Sequence, residues 1–157
     1  MSNARLQSTP VPAEPGPSVT RQNLGFLLAK ASQRWNELLY ERFVARGFPE
    51  VRPAYGSILV PLFEEDELRI GELARRARLA KQTLTTMVRL LERDGLVQRQ
   101  RDPADGRAFL VSLTPRARRL LPVADEVLRE LDELVRSRLT ANQRAALPAA
   151  LKEVIAL

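Results

Sequence analysis

The 157-residue chain contains no cysteine and no histidine. Without thiols, disulfides, thiolate zinc sites and cysteine redox chemistry are excluded. Without imidazole, the commonest general acid–base and the commonest metal ligand are missing. Carboxylates can still hold Mg²⁺ or Ca²⁺, but no DxDxDG-like loop occurs. There is no Gly-rich phosphate loop, and nothing in the pattern positions a pair of carboxylates for acid–base work. The expectation is a non-enzyme with no cofactor and no metal. Long apolar runs are missing too. None approaches the roughly 18 residues that a membrane-spanning helix needs, and no signal-peptide pattern opens the chain. No membrane partner is expected, and the expected location is the cytoplasm.

What is present is positive charge, unevenly spread. The chain has 25 Lys and Arg against 19 Asp and Glu, a formal net charge of +6. Between Arg69 and Arg107 there are ten basic residues (69, 75, 76, 78, 81, 89, 93, 99, 101, 107) and five acidic ones (72, 92, 94, 102, 105), so this stretch alone carries +5. Such a segment fits either a polyanion partner or a solvated, salt-bridged surface.

The chain divides by pattern. Residues 1–17 hold four prolines and no apolar period, and are expected to form a disordered arm. Residues 18–157 are expected to form a single domain, mainly α with a small β-wing. From about 18 to 46, Leu24, Leu27, Ala31, Trp35, Leu38, Leu39 and Phe43 recur at helical spacing, with Ser18 or Thr20 as cap and Gly47 as stop. Pro53 opens a second helix, Ala54 to Phe63. The run Glu64-Glu65-Asp66-Glu67 reads as a solvated loop in preference to a metal cluster. A short helix follows, Ile70 to Arg78, then a brief turn and another helix, Lys81 to Asp94, closed by Gly95.

Two short helices joined by so few residues are a helix-turn-helix. The second has an inward face of Leu84, Met87, Val88 and Leu91, and an opposite face of Lys81, Gln82, Thr85, Thr86, Arg89 and Arg93. Residues 96–101 and 107–113 alternate like a β-hairpin, with Asp102 to Gly106 supplying the turn and Phe109, Val111 and Leu113 sharing one face. A hairpin directly after a helix-turn-helix is a wing. Thr114-Pro115 caps a long helix to about Leu139, and Thr140 with Gln143 forms a capping box for a last helix. The helices at about 18–46 and 114–157 carry more apolar surface than a small winged module of about 53–113 can cover. Dimerisation through them is the economical explanation.

A duplex major groove admits one α-helix, and Gln and Arg can make bidentate contacts to base edges there, while Thr offers a hydroxyl and a methyl group. Lys81, at the helix start, suits phosphate. A wing arginine, Arg107 or Arg101, suits the narrow minor groove, and Asp105 can orient the Arg107 guanidinium by a charge-assisted bond. The plainer reading of Arg107 is an exposed hairpin charge, and the helices before it favour groove contact.

The stretch IGELARRARLAKQTLTTMVRLLERDGLVQRQRDPADGRAFLVSLTPRARRLL resembles the winged helix-turn-helix of the MarR (multiple-antibiotic-resistance regulator) family. The markers are GELA before the turn, LLERDGLVQR at the end of the recognition helix, DPADGR at the wing and LT opening the next helix. The similarity extends over about residues 20–157. It implies a homodimer held by its N- and C-terminal helices, with Lys81 to Arg93, Thr83 included, as recognition helix and Asp105 and Arg107 as the wing pair. It further implies a transcriptional regulator, usually a repressor, on a pseudo-palindromic double-stranded DNA operator, released by a small aromatic or anionic effector. Trp35, Leu38, Tyr55, Leu59 and Leu120 are candidate effector contacts, with simple core packing as their plainer role, and Arg34 or Arg116 could meet an anion. A winged-helix protein-interaction module and a non-specific DNA binder are the alternatives. The chain departs from the family pattern at Ala80, where Ser or Thr is common, and at Arg78 and Ala117, where Gly is frequent. Lacking cysteine, it lacks the family's peroxide-sensing chemistry.

Overall fold

The computed structural model describes residues 19–157. The expected disordered arm at 1–17, and the Ser18 cap, lie outside the described residues. Contacts group the chain into two units, one ending at Arg34 and one from Trp35 to Leu157.

Helix α1 (Leu24–Ala45) begins where Asn23 caps it. The Asn23 side-chain oxygen accepts from the backbone N–H of Gly25 and of Phe26. Thr20 was the expected cap, but its hydroxyl accepts from Gln22 in a local turn, three residues too early. In the unit ending at Arg34, Leu24, Phe26 and Leu27 are exposed. At the far end of α1, Gly47 adopts φ 82°, and Phe48 N–H reaches back to the Phe43 carbonyl. A left-handed residue there closes the last turn, a role that favours glycine.

In the unit from Trp35 onward, Pro53–Tyr55 form one 3₁₀ turn leading into α2 (Gly56–Glu64). A two-residue strand β1 (Leu68–Arg69), which the sequence pattern did not suggest, precedes α3 (Ile70–Ala77) and α4 (Lys81–Arg93). Arg78 holds the left-handed conformation at φ 53° in the three-residue turn between these helices. Strands β2 (Val97–Asp102) and β3 (Asp105–Leu113) make the hairpin, and the sheet order is β1-β3-β2, antiparallel throughout. Helices α5 (Pro115–Ser137) and α6 (Ala141–Ile155) follow.

The turn is tighter than the five residues expected. Asp102 pairs with Asp105 across Pro103-Ala104 alone. The acidic run is not simply solvated either. Glu65 pairs with Arg76, Glu67 accepts from Gln100, and Asp66 takes the Leu113 backbone N–H and the Arg118 guanidinium. Burial would raise the Asp66 pKa, but these donors outweigh it and hold the carboxyl below its usual range.

One core joins these elements. Ile58, Leu59 and Leu62 of α2, Leu73 of α3, Leu84, Val88 and Leu91 of α4, and Val97 and Val111 of the sheet are all buried together. Phe43 of α1 and Ala117, Leu120, Ala124, Val127 and Leu131 of α5 belong to the same core. The inward positions of α4 fall at i, i+4 and i+7, which fixes the helix's rotation and therefore which face looks out. Thr114 caps α5: its hydroxyl accepts from Ala117 N–H and donates to the Gly95 carbonyl at 2.7 Å, tying the helix start to the end of α4. The capping box of Thr140 and Gln143 forms as expected, yet every residue of α6 is exposed. Leu147, Leu151, Val154 and Ile155 therefore leave an apolar face uncovered.

Candidate nucleic-acid interface

Because Leu84, Val88 and Leu91 point inward, α4 turns Lys81, Gln82, Thr83, Thr86 and Arg89 fully outward, with Thr85 half-buried beside them. The Thr85 hydroxyl donates to the Lys81 carbonyl at 2.8 Å and that of Thr86 to the Gln82 carbonyl at 3.2 Å. With their protons used, both hydroxyls offer lone pairs outward, suited to amino groups on base edges, and both methyl groups remain free for apolar contact. No side chain caps the start of α4 at Ala80. Its first backbone N–H groups are therefore open to an anion, and the helix dipole favours one there.

Ion pairing sorts the ten cations between Arg69 and Arg107. Arg69 pairs with Asp102 at 2.6 Å, Arg75 and Arg76 share Glu72, Arg93 pairs with Asp94, and Arg99 with Glu92. Hydrogen bonds from Arg75 and then Arg76 bring Glu72 down to about 2. Arg78 and Arg101 donate to the carbonyls of Ile155 and Gly106. Of the ten, this leaves Lys81, Arg89 and Arg107 exposed with neither an ion pair nor a carbonyl partner among the described residues. Two lie on the outer face of α4 and the third near the hairpin tip.

The hairpin tip is braced from within. Asp102 is buried; it accepts from Ala104 N–H at 2.8 Å and from Arg69, and these bonds hold its pKa below the usual carboxylate range. Asp105 does not grip the Arg107 guanidinium as expected. Its carboxylate accepts the Arg107 backbone N–H at 3.1 Å, because a side chain two residues earlier closes a local turn more readily than it reaches a guanidinium. The effect is to shape the loop and leave the guanidinium projecting. Arg99 and Arg101 lie over the exposed Phe109 ring, at 6.0 and 5.5 Å from its centroid.

The far end of α4 is pinned as well. The buried Tyr55 hydroxyl donates to Asp94 at 2.5 Å, and Arg52 lies 4.0 Å from the same carboxylate. Arg93 first, then Tyr55 and Arg52, keep Asp94 ionised below its ordinary range, while burial and the Asp94 charge push Tyr55 upward.

A cavity of about 310 Å³ opens within the Trp35–Leu157 unit, walled by α1, α2 and α5 and by residues 51–53. Leu59 and Leu120 line it. Of the other candidate effector contacts, Tyr55 is buried against Asp94, and Trp35 and Leu38 pack half-buried against the core, away from the cavity wall. Arg116, a candidate for an anion, is committed to Glu50 at 2.6 Å, to the Gly47 carbonyl and to the Phe48 ring. Arg34 lies in the other unit. The wall includes Phe63, Leu121 and Leu128, which the sequence reading did not pick out. Their helical spacing marks them as apolar but not as cavity-lining.

Residues 53–109, from the 3₁₀ turn to Phe109 in β3, match the model of the MarR family. These residues are a MarR-family module. Among curated proteins, this chain is 39% identical over 83 residues to the HTH-type transcriptional repressor Rv2887 of Mycobacterium tuberculosis, a match spanning 53% of the chain and 60% of the relative. Its fold is similar to that of a probable transcriptional regulator from Pseudomonas aeruginosa, with TM-score 0.73, 29% identity, and coverage of 85% of this chain and 97% of the other. It is also similar to the transcriptional repressor CouR bound to a 23-mer DNA duplex, with TM-score 0.70, 27% identity, and coverage of 84% and 92%. Among the described residues, no helix is long and apolar enough to cross a membrane.

Proposed function

We propose that this chain is a sequence-specific, double-stranded-DNA-binding transcriptional regulator that works as a homodimer, represses, and is released by a small molecule. The observation that carries this reading is the sorting of charge: of the ten basic residues from Arg69 to Arg107, the three with neither an acidic partner nor a carbonyl to hold them sit on the outer face of α4 and near the wing tip. Lys81, Gln82, Thr83, Thr85, Thr86 and Arg89 are the proposed major-groove and phosphate contacts, and Arg101, Asp105 and Arg107 the wing set, with Asp105 acting through the loop's shape. The DNA-bound CouR fold and the repressor name of the mycobacterial relative support the same reading. The domain is proposed as one piece from 18 to 157, with the winged module at about 53–113. The uncovered apolar face of α6 and the exposed Leu128 and Leu134 of α5 supply the surface for a second copy. No catalytic role is proposed, and the location is the cytoplasm, where the chromosome of a bacterial relative lies.

The cavity is the proposed effector site. Its wall includes Arg52, which also reaches the carboxylate at the end of α4. A molecule filling it acts on the spacing of the two recognition helices, and only to the extent that it binds the released arrangement better than the DNA-bound one. Selecting bound duplexes from a random pool, then measuring binding of the selected and of a scrambled duplex, tests the reading. The expected result is a preference of about a thousandfold or more for the selected duplex. Gln82→Ala and Thr86→Ala should relax that preference at individual base pairs. Equal binding to both duplexes would leave a non-specific binder, and no binding to either would leave a protein-interaction module.

A further inference from the structure

We infer that the cavity takes a hydrophobic amine: an apolar ring system carrying one protonated nitrogen that meets Glu64. This rests on the reading of the cavity as the effector site. The cavity's volume, about 310 Å³, falls at the small end of ligand pockets, suited to a one- or two-ring body. Its wall is almost wholly apolar, with Phe43, Leu59, Phe63 and Leu120 among the lining residues. Among the described residues, three charged side chains line it, namely Arg52, Glu64 and Asp125.

Two of the three are engaged elsewhere. Arg52 lies beside Asp94, and both residues line a separate groove next to the cavity. Asp125 pairs with Arg129 one helical turn further along α5, outside the wall. The Glu64 side chain has no hydrogen bond or ion pair among the described residues; it also borders a second groove with Arg76 and Arg78, but Arg76 is held by Glu65 and Glu72 and Arg78 by the Ile155 carbonyl. Glu64 is the last residue of α2, where the helix dipole adds negative character. The uncompensated charge on this wall is therefore negative. A carboxylate ligand would have to sit beside Glu64 and draw Arg52 away from Asp94. An ammonium group gains an opposite charge and leaves that pair intact.

The test uses three probes with one body: 1-naphthylmethylamine, 1-naphthalenemethanol and 1-naphthoate, titrated calorimetrically into the full chain. The amine should bind about fivefold more tightly than the alcohol, and the naphthoate more weakly than both. Glu64→Gln should bring the amine to the alcohol's level, and Val60→Trp, an exposed position on the wall, should weaken both. Tightest binding of the naphthoate, an amine preference that survives Glu64→Gln, or no binding of any probe overturns the inference. DNA binding by the same preparation separates the two readings. A chain that binds its duplex but ignores the amine sinks this inference alone. A chain that prefers the amine but binds no duplex supports the cavity chemistry and sinks the regulator.

Discussion

Arg107→Ala is the most exposing perturbation, because the residue has nothing to do inside the protein. Its side chain is exposed, no acid pairs with it among the described residues, and the bond that shapes its loop runs from Asp105 to its backbone, which alanine keeps. Unfolding stability should therefore stay within about 0.5 kcal/mol of wild type, as for other surface substitutions. DNA binding should not. Each cation that neutralises the polyanion contributes about 0.9 to the slope of log K against log salt. A dimer carries two wings, so the variant should lose about 1.8 from that slope. Between about 50 and 200 mM salt, the wild type should then lose about tenfold more affinity than the variant does. Fluorescence anisotropy on the selected duplex across that salt range gives both slopes. Arg129→Ala, which removes a cation already paired with Asp125 on α5, is the control and should leave the slope unchanged. If Arg107→Ala and Arg129→Ala behave alike, the wing does not reach DNA and the charge-sorting argument fails.

Three further outcomes follow from the geometry. Tyr55→Phe removes the bond to Asp94 and leaves a partly buried carboxylate short of one donor, which should cost about 1.5–3 kcal/mol in urea unfolding. Ala80→Ser supplies the missing cap of α4 at a residue whose backbone, φ −59° and ψ 142°, is already extended, so it should stabilise by about 1 kcal/mol in the same assay. Glu50, Asp66, Glu72, Asp94 and Asp102 all have folded pKa values below their ordinary ones. Their unfolded forms take up protons first, so the stability they provide is complete above the ordinary carboxylate range and drains away as pH falls from about 5 towards 2. Thermal melts over that interval should show a steadily falling midpoint, and a midpoint that is flat or rises would contradict the ion-pair assignments.

What the sequence made legible is what short-range chemistry decides. Thr114-Pro115 and Thr140 with Gln143 act within four residues, and both caps form. The inward stripe of α4 repeats at helical spacing, so its outward face was readable with it. The missed features depend on distant partners. Strand β1 is two residues long and exists because Leu68 and Arg69 pair with Val111 and Leu110, more than forty positions away. Neither Tyr55–Asp94 nor Arg116–Glu50 leaves any trace in local pattern, since the partners are 39 and 66 residues apart. Asp105 was read as a partner for a side chain because charge suggested it. The structure shows that the nearer backbone N–H wins. The cavity wall was half legible: Leu59 and Leu120 were visible as apolar, but which apolar residues enclose space is decided by how α1, α2 and α5 meet.

The central claim is that two copies present two α4 faces to successive turns of one duplex. Hydroxyl-radical footprinting of the selected duplex, with the stoichiometry measured by sedimentation on the same complex, tests it most directly. Two chains per duplex are expected, with two protected half-sites centred about 10–10.5 base pairs apart, or a multiple of that spacing. One chain on a single uninterrupted footprint would contradict it.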